Sequence, residues 1–227
     1  MYIKGKPAVA FSQFLSQLSI IQLPDGTYTG IDRSGIRKYA LDSSLRVLHR
    51  DNDEPACIYS DPIRWHCWQE WYKNGLQHRD GDKPAKVGPG EYRAWYKHGV
   101  MHRIGGPAEI YKGTEIWCED GEYHRVDGPA VVCPIYTGWF IRGKLHRDGG
   151  PARINRGYDS SEVTCEEWYN HGKRHRIGGP AEILFHPNVE KYYINDKLYS
   201  KEAYEKILKF DNNEDNETIA SVDTMFD

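Results

Sequence analysis

The stretch from Trp139 to Ala152 reads WFIRGKLHRDGGPA, and the stretch from Trp168 to Ala181 reads WYNHGKRHRIGGPA. Both follow one pattern, in which a Trp precedes a Gly turn, a His-Arg pair and a final Gly-Pro-Ala. The His-Arg pair returns six times along the chain, and Pro-Ala follows each His after five or six residues. Such self-similarity indicates a repeat architecture, in which one structural unit has been multiplied. A side chain that occurs in every unit then belongs more often to the frame than to a single site.

Each unit carries two turn signals. The first is a residue pair between an aromatic segment and a short segment that ends at His-Arg, as expected of a two-residue hairpin that needs positive φ at its Gly. These pairs are Asn74-Gly75, His98-Gly99, Asp120-Gly121, Arg142-Gly143 and His171-Gly172. The second signal contains Gly-Pro, after which the next strand begins. Together they predict a mainly β fold, an elongated repeat array of stacked antiparallel β-hairpins, with short capping helices at both ends.

The pattern also predicts boundaries along the chain. An N-terminal cap is expected to contain a helix around Phe11 to Leu18 and a hairpin at Pro24-Asp25-Gly26. Ser200 is expected to cap a C-terminal helix that closes the open end of the array. The predicted parts are residues 1–38 as the N-terminal cap, 39–198 as the hairpin repeats, 199–210 as the C-terminal capping helix and 211–227 as an acidic disordered tail.

Composition argues against some classes of function. The net charge is −3, but residues 211–227 carry six acidic residues and no Lys or Arg, so the first 210 residues carry a net charge of +3. Neither value is typical of a dedicated DNA-binding protein, and nucleic acid is disfavoured as a partner. The five cysteines show no Cys-x-x-Cys spacing, and no apolar segment approaches the length of a membrane span. We therefore expect a cytoplasmic protein, in the host cytoplasm if it is viral, without a cofactor or a membrane partner.

The repeated His-Arg pairs invite a catalytic or metal-binding interpretation, which strand geometry disfavours. Equivalent residues of neighbouring hairpins lie at least two strands apart, about 10 Å, whereas the ligands of one metal ion lie about 2 Å from it. We therefore predict that these pairs form no catalytic site and no metal site. The imidazole is expected to bond a backbone group in the Gly-Pro-Ala turn, and the guanidinium to tie down turn carbonyls or stack on the Trp of the next unit. The predicted structural residues are His49, Arg50, His78, Arg79, His102, Arg103, His124, Arg125, His146, Arg147, His175 and Arg176.

The residues that follow each repeated Trp form a candidate binding surface. A Trp and its successor point to opposite faces of a strand, so both faces carry an aromatic stripe. Either the sheet coils and covers both stripes, or one of them is an exposed surface. A loop is also expected at the insertion around Asn155 to Thr164, and irregular loops over a rigid frame often carry specific functions. The predicted partner-binding residues are Tyr72, Tyr96, Phe140, Tyr169, Arg156 and Tyr158.

Two other groups of residues suggest enzymatic chemistry only weakly. Cys67 follows His66, but adjacent residues of a strand point apart and no third group orients them. Asp80 and Asp82 place two carboxylates close together, as in a pair of metal ligands. Because neither group forms a complete catalytic arrangement, we predict that the protein is not an enzyme.

Aromatic-x-Asn-Gly hairpins followed by His-Arg-x-x-Gly-Pro-Ala resemble the MORN-like repeat proteins of tailed phages and giant viruses. The likeness covers roughly Tyr39 to Leu198. Standard MORN units carry a Gly where this chain has His-Arg, so the lipid binding ascribed to some of them is not implied. The resemblance implies a non-enzymatic scaffold, encoded by a phage or virus, that binds and inhibits a host defence protein. The alternatives are sequestration of an anionic small molecule such as a nucleotide by the repeated Arg, or contact with nucleic acid.

Overall fold

The computed structural model describes residues 20–32, 35–61, 66–159 and 161–211. The N-terminal helix expected around Phe11 to Leu18 and the acidic tail beyond Asp211 lie outside these residues. Within them the fold is mainly β and antiparallel, and one helix follows the last strand. The predicted fold class is confirmed. No helix among these residues has the length and apolar character needed to cross a membrane.

The chain divides into two compact units, of which the first comprises the residues up to Arg103 together with Ala108–Lys112. Eight of its strands pair side by side in the order β1-β2-β3-β4-β5-β8-β9-β12. The strands of this unit are β1 (Ile21–Gln22), β2 (Tyr28–Ile31), β3 (Arg37–Ala40), β4 (Cys57–Asp61), β5 (His66–Glu70), β6 (Tyr72–Lys73), β7 (Leu76–Gln77), β8 (Lys86–Val87), β9 (Arg93–Ala94), β10 (Tyr96–Lys97), β11 (Val100–Met101) and β12 (Glu109–Tyr111).

The second unit comprises Ile104–Pro107 and the residues from Gly113 onward. Eight of its strands pair in the order β13-β16-β17-β20-β21-β24-β25-β26. Its elements are β13 (Thr114–Ile116), β14 (Cys118–Glu119), β15 (Glu122–Tyr123), β16 (Val131–Cys133), β17 (Tyr136–Gly138), β18 (Phe140–Ile141), β19 (Lys144–Leu145), β20 (Arg153–Arg156), β21 (Val163–Glu167), β22 (Tyr169–Asn170), β23 (Lys173–Arg174), β24 (Glu182–Phe185), β25 (Asn188–Ile194), β26 (Lys197–Tyr199) and α1 (Lys201–Asp211).

Each full repeat contributes two strands to this main pairing and then a separate short hairpin. The short hairpins are β6–β7, β10–β11, β14–β15, β18–β19 and β22–β23, and each contains the predicted Gly turn. The turn residues have positive φ, for example +47° at Arg142 and +73° at Gly143, as a type I′ turn requires. The repeated Trp lies where the chain passes from a sheet strand into the hairpin, so the strand is interrupted there.

The interior of the repeats is built around Ala rather than around large side chains. The Ala of every repeated Pro-Ala pair is fully buried. These residues are Ala56, Ala85, Ala108, Ala130, Ala152 and Ala181. A fully enclosed methyl group leaves no room for a larger side chain, because protein interiors are close-packed.

The predicted C-terminal helix is present and covers the last strands. The hydroxyl of Ser200 accepts a hydrogen bond from the N–H of Ala203 at 3.2 Å, as expected of an N-cap. Tyr204 is 2% exposed and packs with Tyr192 and Ile194. The helix therefore closes an end at which side chains of β25 would otherwise face water.

The insertion around Asn155 to Thr164 is only partly a loop. Asn155 pairs with Cys165 and Arg156 pairs with Val163, so part of the insertion lengthens β20 and β21. Alternating apolar residues in the segment favour such pairing over a loop. Beyond these paired residues, the N–H of Gly157 donates to the carbonyl of Glu162 at 3.0 Å.

Candidate functional site

Every repeat closes on itself through its Trp. The N–H of Trp139 donates to the carbonyl of Ala152 at 2.8 Å, and the carbonyl of Trp139 accepts from the N–H of His146 at 3.1 Å. The same two bonds are present at Trp71, Trp95, Trp117 and Trp168, and at Tyr39 of the first, degenerate repeat. These bonds give partners to the Trp N–H and carbonyl at the point where the strand is interrupted.

The repeated Arg lies flat on the aromatic ring of its own repeat. Its guanidinium carbon is 3.7 to 3.9 Å from the ring centroid in all six repeats. Nη1 also donates to the carbonyl of the Pro in the same turn, at 3.0 to 3.5 Å. This bond is present at Arg50, Arg79, Arg125, Arg147 and Arg176. The turn carbonyl is the expected partner, but the stacked ring belongs to the same repeat and not to the next one. The short turn brings the Arg back over its own Trp.

The repeated His binds the following hairpin, which differs from the sequence-based expectation of a bond within its own turn. Nδ1 of His124 accepts a hydrogen bond from the N–H of Arg142 at 3.1 Å. Equivalent bonds of 3.1 to 3.4 Å join His49 to Asn74, His78 to His98, His146 to His171 and His175 to Asn195. The reason is that the turn carbonyl is already occupied by Arg, whereas the first turn residue of the next hairpin presents an outward N–H. Since Nδ1 accepts, the ring proton of the neutral imidazole is on Nε2.

Four of the six stacked guanidiniums also hold a carboxylate. Arg79 binds Asp53 through Nε at 2.6 Å and Nη2 at 3.2 Å, and Arg103 binds Asp82 through the same two atoms at 2.7 and 2.8 Å. In both pairs the Asp belongs to the turn of the preceding repeat. Arg50 pairs with Glu54 and Arg125 with Asp127, each in its own turn. Among the described residues, Arg147 and Arg176 have no carboxylate partner.

Three grooves lie beside these guanidiniums. In the first unit a groove of about 160 Å³ contains Asp53, Trp71, Arg79 and Lys83. In the second unit a groove of about 390 Å³ is lined by residues that include Arg147, Gly150, Trp168 and Arg176. The adjoining groove of the second unit, of about 600 Å³, is lined by residues that include Arg125, Val126, Trp139 and Arg147. The guanidiniums without carboxylates thus border the two larger grooves.

The predicted aromatic stripe after the Trp residues is only partly exposed. Tyr72 and Tyr169 are half-buried, and their hydroxyls donate to Glu70 and Glu167 at 3.0 and 3.1 Å. Burial and the neighbouring carboxylate raise the pKa of both phenols, that of Tyr169 to about 12. Tyr96 and Phe140 are half-buried as well.

The other two predicted partner-binding residues differ from each other. Arg156 lies at the end of β20, where Nη1 donates to the hydroxyl of Thr137 at 2.7 Å. Tyr158 is 87% exposed in the loop that follows. Neither of them is among the described residues that line the grooves beside Arg147 and Arg176.

A row of charges on the second unit was missed by sequence reasoning. Arg153, Glu167, Glu182 and Lys191 face one another across four neighbouring strands. The two carboxylates are almost fully buried, and Arg174 contacts both, at 3.0 Å from Glu167 and 3.5 Å from Glu182. The repulsion expected between directly opposed like charges is thereby offset. One sequence signal was available. Val163, Cys165 and Glu167 alternate along one strand and share a face, which predicts that Glu167 is buried with its apolar neighbours.

The residues considered for enzymatic chemistry do not assemble into a site. Asp80 pairs with His78 and Lys73, whereas Asp82 pairs with Arg103, so the two carboxylates serve different cations. Cys67 is exposed, and the side chain of His66 lies outside the described part of the chain. Burial raises the pKa of the Cys57 thiol to about 11, which lowers its thiolate fraction at neutral pH. Among the residues that the structure describes, no three potential ligands cluster as a metal site would require.

No protein-family model matches the chain, and a search of curated proteins finds no match either. The MORN-like assignment therefore remains a prediction that rests on the repeated phrase.

Proposed function

We propose that the protein is a non-enzymatic repeat scaffold that binds another protein. On the MORN-like resemblance, it is a phage- or virus-encoded factor that binds and inhibits a host defence protein. The observation that carries the proposal is the pair of adjoining grooves on the second unit, in which Arg147 and Arg176 stack on Trp139 and Trp168. Neither guanidinium has a carboxylate partner within the described parts of the chain.

The composition of these grooves suits a protein partner. Arg and Trp are the residue types that most often dominate the binding energy of protein interfaces. Two exposed apolar side chains lie at the groove rims, Val126 at 82% and Ile177 at 44% exposure. A partner that covers them removes apolar surface from water, and the stacked guanidiniums provide charge and orientation.

Binding of an anionic small molecule such as a nucleotide is the second candidate function. It is favoured by the combination of Trp168 with two guanidiniums around a cavity of about 390 Å³, within the usual size range of ligand sites. Nucleic acid would use the same chemistry, but it gains little from a net charge of −3.

The test is affinity capture from host lysate with matched surface variants. We expect one stoichiometric host protein to be captured by the natural chain and lost with Val126→Glu and with Ile177→Glu, because each places a carboxylate at a groove rim. Glu115→Gln changes an exposed residue of β13 outside the grooves and should retain the partner. Recovery of no partner, or of one that is indifferent to both groove variants, contradicts the proposal. Thermal shift with nucleotides tests the second candidate, since a ligand at a hundred times its Kd stabilises by about 2.7 kcal/mol.

A further inference from the structure

We propose that Arg147 and Arg176 are receptors for two carboxylates of one acidic segment in the partner protein. This inference rests on the proposed function and specifies the chemistry of the partner. The first unit shows the arrangement in its occupied form, because there the chain supplies the carboxylate itself.

The occupied form is the pair of Arg79 and Asp53. Nε and Nη2 of Arg79 hold the two carboxylate oxygens, and Nζ of Lys83 adds a third contact at 2.7 Å. These contacts hold the pKa of Asp53 well below its ordinary value. A bidentate guanidinium–carboxylate pair is a strong and geometrically selective contact.

The groove of about 390 Å³ in the second unit is the same groove without the carboxylate. Its lining follows that of the first-unit groove position by position, with Arg147 for Arg50, Trp168 for Trp71 and Arg176 for Arg79. Gly150 stands where the first unit has Asp53. Because glycine has no side chain, the carboxylate is absent there, and the groove is larger. The turn is also one residue shorter, since Pro151 is the fifth residue after His146 whereas Pro55 is the sixth after His49.

The guanidinium is held in the same way in both grooves. Arg176 stacks at 3.9 Å on Trp168 and donates Nη1 to Pro180 at 3.0 Å, whereas Arg79 stacks at 3.8 Å on Trp71 and donates Nη1 to Pro84 at 3.1 Å. Nε and Nη2 therefore form the edge that remains for a ligand. Arg147 is held likewise, at 3.8 Å from the ring of Trp139 and 3.2 Å from the Pro151 carbonyl. Preorganised donors of this kind lose little conformational entropy on binding.

The two receptors define the spacing of the ligand. Successive repeats lie two strands apart, about 10 Å. A polyproline II segment rises about 3.1 Å per residue with three residues per turn, so acidic side chains at positions i and i+3 face the same way about 9 Å apart. The occupant is therefore an extended acid-x-x-acid segment. The charge of this groove suits an acidic ligand. Two guanidiniums line it, and Asp148, the one carboxylate among the lining residues, is 99% exposed.

The probe is a fluorescein-labelled peptide PPEPPEPP, with PPQPPQPP as its neutral control. In fluorescence anisotropy at about 50 mM salt we expect the Glu peptide to bind at least about tenfold more tightly than the Gln peptide. Arg147→Gln and Arg176→Gln should each weaken the Glu peptide by about tenfold, whereas Arg79→Gln, whose site is already occupied by Asp53, should not. Equal binding of the two peptides, or an equal effect of Arg79→Gln, overturns the inference.

A second variant keeps the test informative if the Arg variants fold poorly. Replacing the turn Asp148-Gly149-Gly150 by the first-unit sequence Asp-Asn-Asp-Glu supplies an internal carboxylate to Arg176. We expect this variant to have a higher Tm and to lose the Glu peptide. A folded variant that still binds the peptide at full affinity contradicts the inference.

Two further outcomes separate the inference from other occupants and from the proposed function. A nucleotide that binds the grooves more tightly than the Glu peptide, or peptide binding that appears only after residues 212–227 are removed, overturns the assignment to a partner segment. A captured host protein that is lost with Val126→Glu but retained by both Arg variants leaves the scaffold function standing and refutes the carboxylate receptors. Binding of the Glu peptide without capture of any host protein supports the carboxylate receptors and refutes the scaffold function.

Discussion

The repeated His and Arg have different structural tasks although they are neighbours. The Arg side chain lies over the ring and against the Pro carbonyl of its own repeat, whereas the His side chain reaches the next hairpin through Nδ1. The same dipeptide therefore closes one unit and positions the following one. A residue with both an acceptor and a donor nitrogen suits the second task, and a residue with donors only suits the first.

Loss of a repeated imidazole is expected to affect stability. His124→Ala removes the acceptor of the Arg142 N–H and should lower the free energy of unfolding by about 1 kcal/mol. Urea denaturation measures the change. His186→Ala is the matched control, because that side chain is 70% exposed and a surface substitution of this kind costs less than about 0.5 kcal/mol. An unchanged stability together with a lost binding activity would show that the residue acts in a site.

Asp53 gives the protein an acid-sensitive contribution to stability. The Arg79 and Lys83 contacts favour its carboxylate and lower its pKa in the folded state. This contribution is complete above the unfolded-state value of about 4, and it is lost as the pH falls from there towards the lower folded-state pKa. Asp53→Asn should therefore lower the Tm at pH 7 and remove part of its decline in acid, so that the difference between the two Tm curves shrinks as the pH falls below about 4. Asp159→Asn, at an exposed position, is the control and should follow the natural chain throughout.

At this scale the sequence was informative about residue types and less so about their partners. The spacing of His-Arg and Gly-Pro-Ala was enough to place Arg near the turn carbonyls. It was not enough to find the partner of His, because that N–H belongs to a hairpin about twenty residues away whose position depends on packing between repeats. The sequence shows that Asp53 and Asp82 lie in turns one residue longer than the others. It does not show that their carboxylates bind the Arg of the next repeat.

The hairpins combine a favourable Gly with an unfavourable first turn residue. Both turn positions have positive φ, which Gly adopts freely, Asn tolerates and most other residues adopt at a cost. The natural chain uses Asn, His, Asp and Arg at the first position. The backbone N–H at that position is what the preceding His requires, so the side chain is free to vary.

Substitutions in the β18–β19 turn separate backbone strain from contacts. Arg142→Asn should stabilise the protein by about 0.5 kcal/mol, because Asn adopts the left-handed region more readily while its N–H still donates to His124. Gly143→Ala should destabilise the protein by about 1 kcal/mol, because Ala adopts a φ of +73° only with strain. A new Cβ would meet its nearest atom at 3.8 Å, so no steric clash adds to this cost. The midpoints of urea denaturation measure both changes, and a destabilising Arg142→Asn or a stabilising Gly143→Ala would contradict the type I′ turn.

The sequence also predicted the elements better than their assembly. The Gly turns, the Ser200 cap and the C-terminal helix are where the local signals placed them. The division between main sheet strands and separate short hairpins was not evident, because the interruption lies at a Trp, which is itself a good strand former. Likewise, the insertion around Asn155 to Thr164 was predicted as a loop from its extra length, whereas its two ends extend β20 and β21.

Across the whole chain, stability is expected to be local. The units repeat short-range contacts, and repeat proteins gain most of their stability from neighbouring units. The helix α1 is not a repeat, and Tyr204 joins it to the repeat that contains Arg176 and Gly179. The Tyr204 hydroxyl donates to the Arg176 carbonyl at 2.8 Å and accepts from the Gly179 N–H at 3.1 Å.

Removal of that contact should open one region without unfolding the rest. Tyr204→Ala should cost about 3–5 kcal/mol locally and raise hydrogen exchange in α1, β25 and β26. Exchange in β2 to β5 of the first unit should not change. Tyr204→Phe retains the buried ring and should have a smaller effect of about 1–2 kcal/mol. Uniform loss of protection in both variants would instead indicate a single cooperative unit.

The direction of the His contacts has a consequence for biosynthesis. In each described pair the imidazole precedes its N–H donor in the chain, so a hairpin that leaves the ribosome finds its acceptor in a repeat that has already emerged. For this contact each hairpin needs only an acceptor that was translated before it, which favours folding in step with synthesis.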